Sequence, residues 1–277
     1  MTVWEAVLLG LVQGIAEILP ISSSGHLAII NNLFKLSDIT SEHALFQAML
    51  YLATLLSICL VYWPELTAMA YELLSFANLG PYAGQEKAHY PAARCFLMIL
   101  LATLPLFLVL PINRMIETLY GRNVFIGVML ILTGCLLFVS DKMTPGKKTA
   151  KNMTITDALI IGLCQSVSTI PGLSRSAVSI TAGIATGLRR DFAVNFSFLA
   201  CIPAIFGAMI LSFADTAKQG IDWASVPAYL IGMAAAILTG VAAIHLLRHM
   251  SRKARFGGFG YYCWVVGVLS IILHLIF

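Results

Sequence analysis

The sequence predicts an all-α polytopic membrane protein, with six transmembrane helices plus two re-entrant helical hairpins in inverted-topology repeats. Three observations carry this. Hydrophobic residues make up 59% of the chain and charged residues only 11%, where a soluble domain carries about a quarter charged. Runs such as Ala44 to Trp63, Phe96 to Leu110 and Val226 to Leu247 are too long and too apolar for soluble core helices. Two further apolar stretches are interrupted by Pro and Gly, at Pro20 to Gly25 and at Pro171-Gly172. Breaks at membrane depth are tolerated only where they are buried in protein or line a cavity.

The elements follow in order. Residues 3–19 form an apolar helical segment that stops before Pro20, because the residue ahead of proline disfavours α geometry. A short segment from about Ser24 to Phe34 follows, and neither piece reaches the roughly 20 residues needed to span alone. Together they read as the first hairpin. Spans are expected at 43–63, 92–111 and 121–140. A second broken pair lies at 155–169 and 174–187, and spans at 192–214, 224–248 and 257–277 complete the chain. Trp4, Trp63 and Trp223 fall near segment ends, where aromatic belts form. The first residues lack a basic n-region and a small-residue cleavage site, so the first helix is expected to stay. The six cysteines lie in apolar segments without paired spacing and read as core residues. No nucleic-acid or dinucleotide motif is present.

The connectors set the orientation. Lys87, Arg94, Lys142, Lys147, Lys148, Lys151, Arg189, Arg190, Arg248, Arg252, Lys253 and Arg255 fall on one side of this topology, and Lys35, Arg114, Arg122 and Lys218 on the other. The positive-inside rule puts both termini outside, with the first hairpin entering from outside and the second from inside, tips face to face. The net charge of +4 matters less than this distribution. A gapless shift of the sequence aligns Gln13 with Gln165, Ser22 with Ser174 and Ser24 with Ser176. An odd number of crossings separates the hairpins, so the repeats, about 1–140 and 150–277 within one membrane domain, are inverted.

Polar groups concentrate at the two breaks. Gln13 and Glu17 share a helix face, four residues apart. Gln13 can line a site or simply bond another helix, and Glu17 can act there or snorkel to water. Ser22, Ser23, Ser24 and Gly25 open the second half-helix. Serine caps helices, but a helix N-terminus with free N–H groups is also an anion site, and Gly25 lets a ligand approach the backbone. His26 lies one step on. In the second half, Ser174, Arg175 and Ser176 follow the Pro-Gly break. Arg175 is the one charge between Ala158 and Leu188, suited to phosphate oxygens or to an ion pair with Glu17. Ser179 and Thr181 extend the polar lining or bond back to their own helix. Gln47 and Tyr51 share a face that borders the site, a weak signal. Arg189, Arg190 and Asp191 read as a solvated helix boundary. This set can hold a phosphate between Arg175 and two helix N-termini, with a Ser hydroxyl or His26 attacking phosphorus and Glu17 as base. A carboxylate beside phosphate oxygens is also where Mg²⁺ or Ca²⁺ bridges.

At these residues the sequence resembles the undecaprenyl-pyrophosphate phosphatase family of the bacitracin-resistance type. The resemblance rests on Gln13…Glu17 with Ser22-Ser23-Ser24-Gly25-His26, on Pro171-Gly172-Leu173-Ser174-Arg175-Ser176-Ala177-Val178-Ser179, and on Asn195 to Pro203. It implies hydrolysis of a C55-type polyprenyl diphosphate to the monophosphate and phosphate, with a divalent cation (Mg²⁺ or Ca²⁺) held at Glu17, in a bacterial cytoplasmic membrane, the site opening outward. It implies catalytic roles for Glu17, His26, Ser23 and Arg175, with Ser23 or His26 as nucleophile. Substrate contacts then fall to Gln13, Ser22, Ser24, Gly25, Ser174, Ser176 and Ser179. Gln13 takes the amide option, Ser179 replaces the usual Thr, and Tyr51 stands where a Gln is expected. These departures bear on metal affinity and substrate preference. The other membrane lipid-phosphatase type needs a His several residues after its Arg, and none occurs between Arg175 and Leu188. A transporter or flippase for an anionic lipid is the competing reading, since broken helices in inverted repeats are a transporter plan. A lipid-binding scaffold would not need Glu17, His26 and Arg175 together. The sequence leaves open whether the chain forms a homodimer.

Overall fold

The computed structural model describes residues 1–34, 43–76, 79, 90–112, 115–116, 118–144, 146–251 and 256–276. The described residues fold into helices α1 (Val3–Ile18), α2 (Ser23–Phe34), α3 (Ala44–Val61), α4 (Trp63–Phe76), α5 (Pro91–Thr103), α6 (Asn123–Lys142), α7 (Ile155–Val167), α8 (Arg175–Ala185), α9 (Arg190–Gln219), α10 (Val226–Ser251) and α11 (Gly257–Ile276). Two 3₁₀ turns, Leu104–Leu108 and Leu110–Ile112, prolong α5, where Pro105 removes a backbone donor. Among the described residues, six helical stretches are long and apolar enough to cross a membrane: Ala44–Val61, Pro91–Ile112, Asn123–Lys142, Arg190–Lys218, Val226–Ser251 and Gly257–Ile276. The chain is a multi-pass, all-α membrane protein.

Helix starts are written locally. Thr2 caps α1 and Thr154 caps α7, each in a reciprocal capping box with the acidic residue three positions on, Glu5 and Asp157. The α4 helix is a departure from the sequence reading, which leaves residues after Trp63 as a connector. Tyr62 turns the chain at φ −99°, and Pro64 in the first turn opens a new helix, because proline's missing N–H is unneeded there.

Helices pack on one another through small residues. A Cβ on Gly10 would lie 2.1 Å from the Gly232 carbonyl oxygen, and one on Gly14 would lie 2.4 Å from that of Ala236. The α1 and α10 backbones therefore run parallel in direct contact, the close approach that small-xxx-small spacing permits in membranes. Gly162 of α7 meets the Ala102 carbonyl of α5 in the same manner, at 2.3 Å. Gly127 and Gly134 of α6 meet Gly267 and Gly260 of α11 in antiparallel order.

The ends of these helices gather charge on one face. Arg248 pairs with Glu65 at 2.8 Å, Lys148 with Asp157 at 2.8 Å and Arg190 with Asp141 at 3.4 Å. The Asp141 carboxylate also accepts the N–H groups of Phe256 and Gly257, and Arg94 donates to the Met153 carbonyl. On the opposite face the Met1 amino group donates to Ser225 Oγ at 3.3 Å. Arg190, read from the sequence as part of a solvated boundary, is instead 9% exposed, because Asp141 and two carbonyls satisfy it. Lys35, Lys87, Arg114, Arg252, Lys253 and Arg255, assigned to the two sides from the sequence, lie outside the described residues.

Candidate active site at the two helix breaks

The first break begins where α1 ends at Ile18. Leu19 is extended, Ile21 N–H donates to the Leu19 carbonyl at 2.7 Å, and Ser22 takes φ 72°. Ser22 is the one non-glycine residue with positive φ among those described, a conformation costing on the order of 1–3 kcal/mol. It lets the Ser22 hydroxyl accept the Gly25 N–H and its carbonyl accept the His26 N–H. The turn thus starts α2 and aims Ser23 back along α1.

The second break is held by α6. Thr133 Oγ1 donates to the Gly172 carbonyl at 2.9 Å and accepts from the Ser174 N–H at 3.2 Å. Gly172 has φ +94°, and a Cβ there would lie 2.6 Å from the Ile126 carbonyl oxygen; only glycine fits this turn. Ser174 caps α8 by accepting the Ala177 N–H, which places Arg175 in the first helical position. The breaks touch each other: a Cβ on Gly25 would lie 3.0 Å from Gly172 Cα, and Ser176 Oγ lies 3.5 Å from the Leu19 carbonyl.

This contact brings the charged residues together. Arg175 Nη1 lies 3.8 Å from Glu17 Oε1. Ser23 Oγ donates to Glu17 Oε2, and Gln13 Nε2 donates to the same oxygen at 3.3 Å. Arg175 Nε and Nη1 are buried without a hydrogen-bond partner. Burying such donors unpaired is costly, which makes them candidates to hold a ligand's oxygens. His26 lies one turn beyond Ser23, its Nδ1 2.8 Å from the Ser22 carbonyl and its Nε2 2.9 Å from the Tyr262 hydroxyl.

The remaining sequence-derived residues divide. Ser22 and Ser24 face each other at 3.4 Å beside the acid. Ser174 and Ser176 are buried and bonded to each other at 3.1 Å. Ser179 donates to the Arg175 carbonyl and is also bonded to Ser197 on α9, so its hydroxyl is committed within the helix packing. Thr181 is buried with no partner for its hydroxyl. Sequence reasoning missed four neighbours. Tyr262 touches His26, Thr133 clamps the second turn, and Cys201 lies beside the guanidinium. Tyr120 reaches toward Ser24 in the field of Glu17 and Arg175. Tyr51, a weak signal, does lie in that field and accepts from Gln47 at 3.3 Å. Two open cavities lie away from the breaks, one of about 450 Å³ by Asp141 and Tyr261 and one of about 270 Å³ by Glu65 and Arg248.

The family model described as bacitracin resistance protein BacA matches residues 6–269. The chain belongs to the BacA family. Similar curated proteins carry the name undecaprenyl-diphosphatase. One from Desulforapulum autotrophicum is 36% identical over 98% of each chain. Another, from Methanosphaera stadtmanae, is 33% identical over 98% of each, and one from Alkaliphilus metalliredigens is 34% identical over the full length of both. In this BacA-family chain the motifs that carry the resemblance, around Glu17 and Arg175, are the two that meet at the helix breaks.

Proposed function

We propose that this protein is a membrane phosphatase that hydrolyses undecaprenyl diphosphate, or a similar polyprenyl diphosphate, to the monophosphate and inorganic phosphate. The observation that carries the reading is the convergence of Glu17, Ser23 and Arg175 from two broken helices. Membership of the BacA family and the names of its relatives support it. Ser23 is the nucleophile in this reading. Its hydroxyl already donates to Glu17, whereas both ring nitrogens of His26 are engaged. As the Ser23 oxygen bonds to the terminal phosphorus, its proton passes to Glu17 and the bond from phosphorus to the bridging oxygen breaks. The polyprenyl monophosphate leaves with that electron pair. Glu17 hands that proton to the departing monophosphate and then takes one from a water whose oxygen attacks the phosphoserine phosphorus. The bond from phosphorus to Ser23 Oγ breaks, and Oγ takes the proton back from Glu17 as phosphate leaves. Arg175 and the N-termini of α2 and α8 offset the charge that builds on the transferring oxygens.

A divalent cation, Mg²⁺ or Ca²⁺, fits this donor set only with help from substrate. Among the described residues no three His, Cys, Asp or Glu side chains cluster, so Glu17 would hold it with neighbouring neutral oxygens and the diphosphate, the usual manner for Mg²⁺. When bound it would neutralise phosphate charge.

The helix pairings support inverted repeats of about 1–140 and 150–277: α1 packs on α10 as α7 packs on α5, while α3 meets α9 and α6 meets α11. They also support the two broken pairs entering from opposite sides. The basic face carrying Arg94, Lys148, Arg190 and Arg248 supports an inward orientation for that face and an outward opening for the first hairpin, in a bacterial cytoplasmic membrane. The test is phosphate release from undecaprenyl diphosphate by purified protein, with EDTA and with Mg²⁺ or Ca²⁺ restored. Release that EDTA stops and metal restores is expected. No release, with the lipid instead moved between leaflets of a vesicle, favours the transporter reading.

A further inference from the structure

His26 is gripped at both ends of its ring. The Ser22 carbonyl can only accept, so Nδ1 carries the proton and the neutral ring presents a lone pair at Nε2. The Tyr262 hydroxyl donates to that lone pair at 2.9 Å, with the two rings 5° from parallel. Tyr262 stands on α11, 236 residues away in sequence, and its side chain is exposed at the surface that α11 presents to the bilayer. A hydroxyl thus reaches inward from a lipid-facing helix to a buried imidazole.

We propose that Tyr262 is a positioning residue for the reaction: it fixes the ring and tautomer of His26, and through His26 the strained turn that aims Ser23 at Glu17. This rests on reading Glu17, Ser23 and Arg175 as the reaction centre. The chain of contacts is continuous. Tyr262 holds Nε2, Nδ1 and the His26 N–H both hold the Ser22 carbonyl, and Ser22 at φ 72° sets the direction of the next residue, Ser23. None of these bonds reaches the guanidinium of Arg175. Loss of the Tyr262 hydroxyl therefore loosens the nucleophile and leaves the phosphate clamp intact.

The test uses purified full-length protein and two readouts. One is kcat and KM for phosphate release from undecaprenyl diphosphate. The other is the rate at which diethyl pyrocarbonate modifies His26, followed by mass spectrometry of the peptide that holds it. For Tyr262→Phe, kcat is expected to fall about tenfold, the scale of losing a group that orients a functional histidine, with KM within about twofold. His26 modification speeds up, because the Nε2 lone pair is no longer covered. Tyr261→Phe, a neighbour whose ring packs on Phe138 and Trp264, leaves both readouts unchanged. Should Tyr262→Phe unfold, 3-fluorotyrosine at 262 keeps the donor, and kcat and the His26 modification rate should both stay at the wild-type value. Wild-type kcat in Tyr262→Phe, an unchanged His26 modification rate, or loss of kcat with 3-fluorotyrosine each overturns the proposal. Wild-type turnover by Ser23→Ala and Glu17→Ala would instead overturn the reaction centre, and the positioning role with it.

Discussion

Arg175 Nη1 stands 3.8 Å from Glu17 Oε1, close enough for charge attraction and too far for a hydrogen bond. The two residues flank helix breaks that touch at Gly25 and Gly172. A closed ion pair would satisfy both groups and leave nothing to bind. The open pair keeps Nε and Nη1 of the arginine unpartnered in a buried place, while the other carboxylate oxygen is occupied by Ser23 and Gln13. In the proposed function this geometry divides the labour: Arg175 would take anionic oxygens, and Glu17 the serine proton.

Replacing Arg175 by Lys keeps the charge and removes the fork of donors. Bidentate phosphate contact is then lost, and kcat/KM should fall by about 10²-fold, the scale of one missing donor at a developing oxyanion. Steady-state phosphate release checks this, and Arg175→Ala should be lower still.

Ser23→Ala and His26→Ala separate the two nucleophile assignments. Ser23→Ala should drop turnover to the level of Glu17→Ala, because a nucleophile and its base act as a unit. His26→Ala should retain measurable turnover above that floor. A burst of phosphoserine on the Ser23 peptide after rapid quenching is the matching chemical signature.

Gln13→Glu places a second carboxylate beside Glu17, where the amide now donates at 3.3 Å. Two like charges at that distance repel unless a cation joins them. The half-saturating Mg²⁺ concentration for phosphate release should therefore fall, and activity in EDTA should be no higher than wild type.

Gly172→Ala tests the meeting of the breaks. The new methyl group would sit 2.6 Å from a backbone carbonyl at φ +94°, so the turn must shift. The expected cost is about 1–3 kcal/mol, read as a lowered melting temperature in detergent, with activity lost as Arg175 moves off Glu17.

The spans and both breaks are legible in the sequence because lipid imposes simple demands: long apolar runs, and Pro or Gly where a helix stops. The polar residues gathered at the breaks, Glu17, Ser23, His26 and Arg175, stand out in the sequence because polar groups are conspicuous among apolar neighbours; their roles belong to the proposed function. The α4 helix is less so, since its first residue, Trp63, also ends the preceding apolar run. Tyr262, Tyr120 and Thr133 stay hidden for a different reason. Each joins the site across a long separation in sequence, as Thr133 does to Gly172 from α6, and a tyrosine near a span end reads equally well as part of an aromatic belt. The fates of Ser179 and Arg190 depend on which partner lies opposite, Ser197 in one case and Asp141 in the other. Helix periodicity carries no such information.

The most direct measurement is a double-mutant cycle on phosphate release from undecaprenyl diphosphate, using wild type, Glu17→Ala, Arg175→Ala and the double variant. Each single variant should lose about 10²-fold or more, and the double should be little worse than the weaker single, as expected for groups that act on one phosphate. Wild-type turnover in either single variant, or losses that simply multiply in the double, would contradict a reaction centre built where the two helix breaks meet.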